Sequence, residues 1–351
     1  MFGKLKSLAA MSVAASAVLG SAIGAQAQEK YVYALTTTNI SVGNAAQSSV
    51  PLGMEYWKKE GLDVSVIGLN GSMLGIQQIA TGAVQFATAG PETLLIARQK
   101  GLPIIAIYSM STPIYETVVT DDKIKSFKDL KGMTIGMPEF ASGTLPYVRS
   151  AVKDAGLDPD KDVKYISVGL GASAASAIRQ KEISAWAAWD TVVSAFENTG
   201  FKFTKIDPPW LSTMPGNVII TNEDMVKNHP EVVTKFLRGL AKATAFSLAN
   251  PEATVRNHWA MYPATKPQEV TPKTFADSIN VYKSRASRMA KTPGRKWGEN
   301  VDAGWDNILK YSVESLGGTA EMRASYTNKF IADVNKFDDA TIDAEAKASK
   351  W

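Results

Sequence analysis

The sequence predicts an α/β protein of two lobes, continued by a mainly helical C-terminal part. Three observations carry this. Strand-like runs such as VQFATA (84–89) and PIIAIYSM (103–110) alternate with helical patterns, as in a mostly parallel sheet. One unit occurs twice: GLNGSMLGIQQIATGAVQFATAGPETLL from Gly68, and GLGASAASAIRQKEISAWAAWDTVV from Gly169. Each reads as a Gly-rich turn with a serine, a short helix, a strand and a second helix, so two lobes of like architecture are expected. Beyond Asn222 the pattern turns helical, with amphipathic stretches at 230–250 and 301–316.

In chain order, residues 1–27 read as a secretory signal. Lys4 and Lys6 precede an apolar run from Leu8 to Ile23, and Ala25-Gln26-Ala27 fits a small-x-small cleavage site. The expected location is therefore periplasmic. Removing the signal leaves 36 basic against 34 acidic residues, a balance that argues against nucleic acid as partner. There is no cysteine, so the exported chain must rest on its core, and roughly 320 residues can bury a large one.

Met133, Ile135 and Met137 alternate as a strand closed by Pro138, and Leu145, Val148, Val152 and Ala155 then mark one helix face. Pro146 suits the first turn and Gly156 the left-handed stop. Between strand and helix, Ser142, Gly143 and Thr144 offer amides at the positive end of a helix, either as a plain cap or as part of an anion grip. The KTPGRKWGEN stretch (291–300) reads as an exposed loop.

Open α/β sheets bind ligands beyond the carboxyl ends of their strands. This rule selects Thr36 to Asn39 after the first strand, Gly71-Ser72, Gly90 to Thr93, Ser142 to Thr144, and Trp189-Asp190. Asp190 also fits as a helix N-cap. Trp186 and Trp189 are three apart on a strand and so face opposite ways, leaving Trp189 to stack on a ligand, with Trp210 as a second aromatic. Tyr115 and Glu116 are placed to reach the same cleft. These are binding groups, and no arginine stands out among them. The expected ligand is a small organic anion, carboxylate or sulfonate, on an aromatic or aliphatic body, with a zwitterion next; Glu92 and Asp190 count against an anion.

The segments EYWKKEGLDVSVIGLNGS, IATGAVQFATAGPETLLIARQKGLPIIAI, IKSFKDLKGMTIGM and GLDPDKDVKYISVG occur in the order seen in substrate-binding proteins of ABC importers. The sequence resembles those that serve nitrate, sulfonates, taurine and thiamine-pyrimidine precursors. The resemblance implies a type II periplasmic binding protein: lobe 1 from 28–114 and 218–351, lobe 2 from 115–217, and crossover strands at 113–120 and 215–222. It also implies ligand contacts at Thr37, Asn39, Ser72, Pro91, Ser142, Thr144 and Asn217, a monomer, no cofactor, and delivery to a membrane permease. Presentation of the ligand to a sensor is the alternative from another class.

Enzyme readings find little in the residues. VGLGASA with Asp190 about 20 residues on mimics a dinucleotide fingerprint, yet it lies mid-chain in an exported protein, and its sister unit lacks the third small residue. His229 and His258 have no metal-ligating neighbours at suitable spacing, and G-x-S-x-G does not occur. A eukaryotic relative of this fold class makes thiamine pyrimidine, chemistry that requires a cleft histidine and a Schiff-base lysine; the sequence offers no candidate for either.

Overall fold

A computed structural model describes residues 29–140, 144–312 and 322–351. The signal reading, Ser142, Gly143 and the end of the 301–316 stretch lie outside the described residues. Among the described residues, ten strands form two five-stranded sheets. The first contains β1 (Lys30–Leu35), β2 (Asp63–Gly68), β3 (Phe86–Ala89), β4 (Ile104–Ser109) and β10 (Val218–Asn222), in the order β2-β1-β3-β10-β4. The second contains β5 (Tyr115–Val119), β6 (Thr134–Met137), β7 (Lys164–Ser167), β8 (Ala185–Trp189) and β9 (Thr204–Lys205), in the order β7-β6-β8-β5-β9.

Position by position the two orders correspond. In each sheet the three strands at one end are parallel, and the fourth runs antiparallel to both its neighbours. The Gly68 and Gly169 units occupy equivalent places. The first gives α3 (Ser72–Ala80), β3 and α4 (Pro91–Gln99); the second gives α6 (Ala172–Arg179), β8 and α7 (Asp190–Asn198). Both α1 (Ser49–Gly53) and α2 (Tyr56–Lys59) precede them.

The segments expected as crossovers turn out to hold the antiparallel strands themselves. β5 lies wholly within the second sheet and β10 within the first, so the links between sheets are the stretches 110–114 and 206–217, the second containing a 3-10 turn at Pro209–Thr213. These links pass very close together. The Gly216 amide donates to the Ser111 carbonyl at 2.6 Å, and a Cβ at Gly216 would overlap the Thr112 carbonyl oxygen, so only glycine fits there.

Burial explains why the strands read as they do. All four residues of β3 are buried, as are Ala185 to Ala188 in β8, the mark of strands covered on both faces. One face of the first sheet packs Phe86 on Phe236 (3.9 Å between ring centres) and Phe236 on Trp57 (5.4 Å), with the Trp57 indole N–H bonded to the Phe236 carbonyl. That cover comes from the C-terminal part, in which α8 (Glu223–Asn228), α9 (Pro230–Ala249), α10 (Pro251–Met261) and α11 (Pro272–Met289) precede α12 (Asp302–Ser312), α13 (Ile331–Val334) and α14 (Asp339–Lys347). Within the second sheet's layers, α5 (Thr144–Asp154) follows β6, and Gly156 takes the positive φ expected of its C-terminal stop.

The 291–300 loop is exposed only in its first part. Trp297 is buried, its indole N–H on Asp339, and the Ser109 amide donates to the Gly298 carbonyl. An indole with an apolar body and a partner for its N–H overrides a loop-like composition.

Candidate functional site: a cleft between the two sheets

The site is assembled from a helix start beside the first sheet, a strand and a helix of the second, and both links. Its cavity holds about 360 Å³ of atom-free space, including the part open to solvent. Gly90, Pro91 and Glu92 supply the start of α4, while Pro113, Ile114 and Tyr115 come from the first link and β5. α5 contributes Tyr147, and the second link contributes Trp210, Leu211, Met214, Pro215, Gly216 and Asn217.

The walls are aromatic and held from behind. Tyr115 stacks on Tyr147 at 5.6 Å and 15°. Trp210 lies stacked on Tyr311 at 4.5 Å, and its indole N–H donates to Asp154 at 2.9 Å. Against this apolar surface stands one carboxyl, that of Glu92. Burial pushes it up to about 7, only partly offset by its own backbone amide. Glu92 is thus protonated for much of the time near neutrality, able to donate as well as accept a hydrogen bond.

Of the residues expected from sequence, the cavity gathers Pro91, Glu92, Tyr115 and Asn217, together with Trp210. The Ser72 hydroxyl has a structural partner, accepting the Gly90 amide at 3.0 Å and so tying one repeat turn to the next. Thr37 and Asn39 bond to each other in the loop after β1. Thr144 is wholly buried at the start of α5. Trp186 is core and Trp189 half-buried; Trp189 sits opposite Tyr115 in the β5–β8 register but outside the cavity lining.

Asp190 needs correction on two counts. It is the first residue of α7, with Trp189 as the cap, and its carboxylate is already engaged. Arg285 of α11 grips it with Nε to Oδ2 at 2.8 Å and a terminal nitrogen to Oδ1 at 2.7 Å, while the Thr191 amide adds a third bond. Next to it, the buried Glu116 accepts Arg288 and Lys205, both at 2.6 Å. The arginines that sequence reasoning did not find are therefore on α11. They neutralise acids of the second sheet and do not line the cavity. Nothing local marks them, because the pairing spans 95 residues for Arg285 and 172 for Arg288. Tyr147 was also missed: it falls outside the helix face read from Leu145, Val148, Val152 and Ala155, and only the fold turns its ring toward the links.

The sequence profile of the family described as NMT1/THI5 like matches residues 52–254. Binding proteins of Brucella abortus and Brucella suis are 29% identical over 203 residues, 57% of this chain and 62% of theirs, so the match spans less than two thirds of those relatives. The riboflavin-binding protein RibY of Chloroflexus aurantiacus is 28% identical over 286 residues, 79% of each chain. A formylaminopyrimidine-binding protein of Halalkalibacterium halodurans is 26% identical over 215 residues, 60% of this chain and 64% of that one. Among solved structures, the periplasmic nitrate-binding protein NrtA from Synechocystis has a TM-score of 0.62 at 12% identity, covering 92% of this chain and 98% of its own. The alkanesulfonate-binding protein SsuA from Xanthomonas axonopodis has 0.60 at 13%, covering 85% and 98%. At such identities these likenesses show the fold, that of ABC-type periplasmic binding proteins. Not every relative is named for binding: a Saccharomyces cerevisiae 4-amino-5-hydroxymethyl-2-methylpyrimidine phosphate synthase is 22% identical over 298 residues, 79% of this chain and 81% of its own.

Proposed function

This chain belongs to the NMT1/THI5-like family, and from that premise we propose that it is an extracytoplasmic receptor that closes on a small solute and hands it to an ABC permease. The observation that carries the proposal is the cavity itself, walled by α4 from the first sheet's unit, by β5 and α5 from the second, and by both links between the sheets, so that a change in the angle between the sheets opens or shuts it. Its chemistry is that of capture. Neither His229 nor His258 is in the lining; His258 is buried elsewhere, bonded to Ser49 and to the Ile40 carbonyl.

The best-supported solute is a flat, nitrogen-bearing ring. Tyr115, Tyr147 and Trp210 line the cavity with aromatic surface, and a half-ionised Glu92 can meet an amine or ring N–H on one side and a ring nitrogen on the other. RibY and the formylaminopyrimidine-binding protein are named for ligands of this class. The organic anion expected from sequence is the second reading, supported by the start of α4, which borders the cavity at the carboxyl end of β3.

A calorimetric and melting screen decides between them. Riboflavin and aminopyrimidines are set against aromatic carboxylates, alkanesulfonates, taurine and nitrate, and hits are followed by solution scattering. A binder that raises the melting temperature and compacts the particle supports the receptor reading. Tight binding with no compaction overturns closure, and binding confined to anions overturns the ring reading.

A further inference from the structure

We propose that Asp207, which does not line the cavity, is a positioning residue for the cleft: it fixes the ring of Tyr147 within the cleft wall and so sets which solutes fit. The inference rests on the cleft reading above, and its test is built to separate the two.

Tyr147 is 3% exposed and is held on several sides. Its ring stacks on Tyr115, meets the edge of Trp210 at 6.3 Å and 72°, and meets Phe127 at 6.4 Å and 85°. Ring contacts alone leave the tilt loosely defined, because edge-to-face and stacked arrangements tolerate a wide range of geometry. What defines it is the phenol at the far end. That O–H donates to Asp207 Oδ1 at 2.9 Å, the same oxygen accepts the Thr117 amide at 2.7 Å, and the Thr117 hydroxyl lies 3.1 Å from the phenol oxygen.

One carboxylate oxygen thereby joins three parts of the cleft: α5 through Tyr147, β5 through Thr117, and the second link through its own backbone. Thr117 is two residues from Tyr115 on β5, so both side chains face the same way. Asp207 is itself anchored by its neighbour, as the Ile206 amide donates to the Thr117 carbonyl at 2.9 Å. Pro208 and Pro209 follow with restricted φ and lead to Trp210, another residue of the lining. The geometry needs an acceptor at Oδ1, and asparagine supplies one.

The test compares wild type with Asp207→Asn, Asp207→Ala and Tyr147→Phe in the full-length mature protein. One readout needs no solute: NMR of protein carrying ring-¹³C tyrosine, in which Tyr147→Phe assigns the Tyr147 signal. The second is calorimetric titration with 4-aminopyrimidine, with melting temperatures alongside. Asp207→Ala is expected to shift the Tyr147 signal, speed its ring flips and weaken 4-aminopyrimidine about tenfold, the loss of one buried hydrogen bond. Tyr147→Phe should weaken it similarly, while Asp207→Asn stays within about twofold of wild type in both readouts. The proposal is overturned if Asp207→Ala leaves the Tyr147 signal where it was, or if Asp207→Asn is as damaging as Asp207→Ala. If Asp207→Ala does not fold, the Asp207→Asn spectrum and the Tyr147→Phe titration still decide. Should wild type not bind 4-aminopyrimidine at all, the spectra judge the positioning role, and it is the ring reading of the solute that fails.

Discussion

Replacing Arg285 by alanine should destabilise the protein far more than a surface arginine would. In the structure its side chain is 6% exposed and that of Asp190 is fully buried, and the two share a bidentate pair. Burial works against the guanidinium's charge, but the Asp190 carboxylate more than compensates and holds its pKa above the usual value. Removing Arg285 strips Asp190 of two of its three bonds and leaves an ion in the interior with the Thr191 amide alone. The cost of breaking such a pair is about 3–5 kcal/mol. At the unfolding entropy of roughly 320 residues, that lowers the melting temperature by roughly 4–8 °C. Urea unfolding of Arg285→Met, Asp190→Leu and the Asp190→Leu/Arg285→Met double variant completes a cycle, with Arg285→Ala measured alongside. The double variant should recover most of the loss, since no unpaired charge remains. A loss below about 1 kcal/mol for Arg285→Ala would show that water reaches Asp190, and the reasoning from burial would fail.

Glu92 gives a pH signature: its carboxyl is raised from 4.5 to about 7, so its favourable contribution is complete below pH 4.5 and is lost as pH rises through 7. Glu92→Gln should flatten that part of the stability profile measured without solute; a profile unchanged by the substitution would refute it. Ser72→Ala should cost about 1 kcal/mol by leaving the Gly90 amide unpaired, and weaker solute binding at unchanged stability would instead make the hydroxyl a direct contact. N-terminal sequencing of the periplasmic fraction should begin at Gln28 or within a residue or two of it; Met1 retained on cytoplasmic protein would remove the export argument.

The local signals were legible because each is carried by a few adjacent residues. Gly156 stops α5 where its helix face ends, and Pro91 opens α4 at the position where a missing N–H costs nothing. The carboxyl-end rule selected the start of α4 from where a strand ends along the chain, and Pro91 and Glu92 there line the cavity. It says nothing of distant partners. Ser72 was selected for a ligand, and β3 places the Gly90 amide on its oxygen. Asp190 looked like a cap or a cleft acid until α11 arrived from 95 residues downstream. No pattern of spacing in one sequence encodes such a meeting.

The two faces of α11 explain why the cleft is built with so few charges of its own. On one side Tyr282, Ala286 and Met289 pack with Val42, Ala46, Val255 and Trp259, an apolar contact with the helices that cover the first sheet. On the other, Arg285 and Arg288 hold Asp190 and Glu116 of the second sheet's unit, and Asn280 and the Asp277 carbonyl bond Asn198 at the far end of α7. An apolar seam has no partners to satisfy when it parts, whereas each bond of the polar seam can be exchanged for water. If the sheets swing apart, the polar seam is the one that can open without leaving apolar surface exposed. Taking up Asp190 and Glu116 there also leaves Glu92 as the one acid of the cavity lining among the described residues, set among rings.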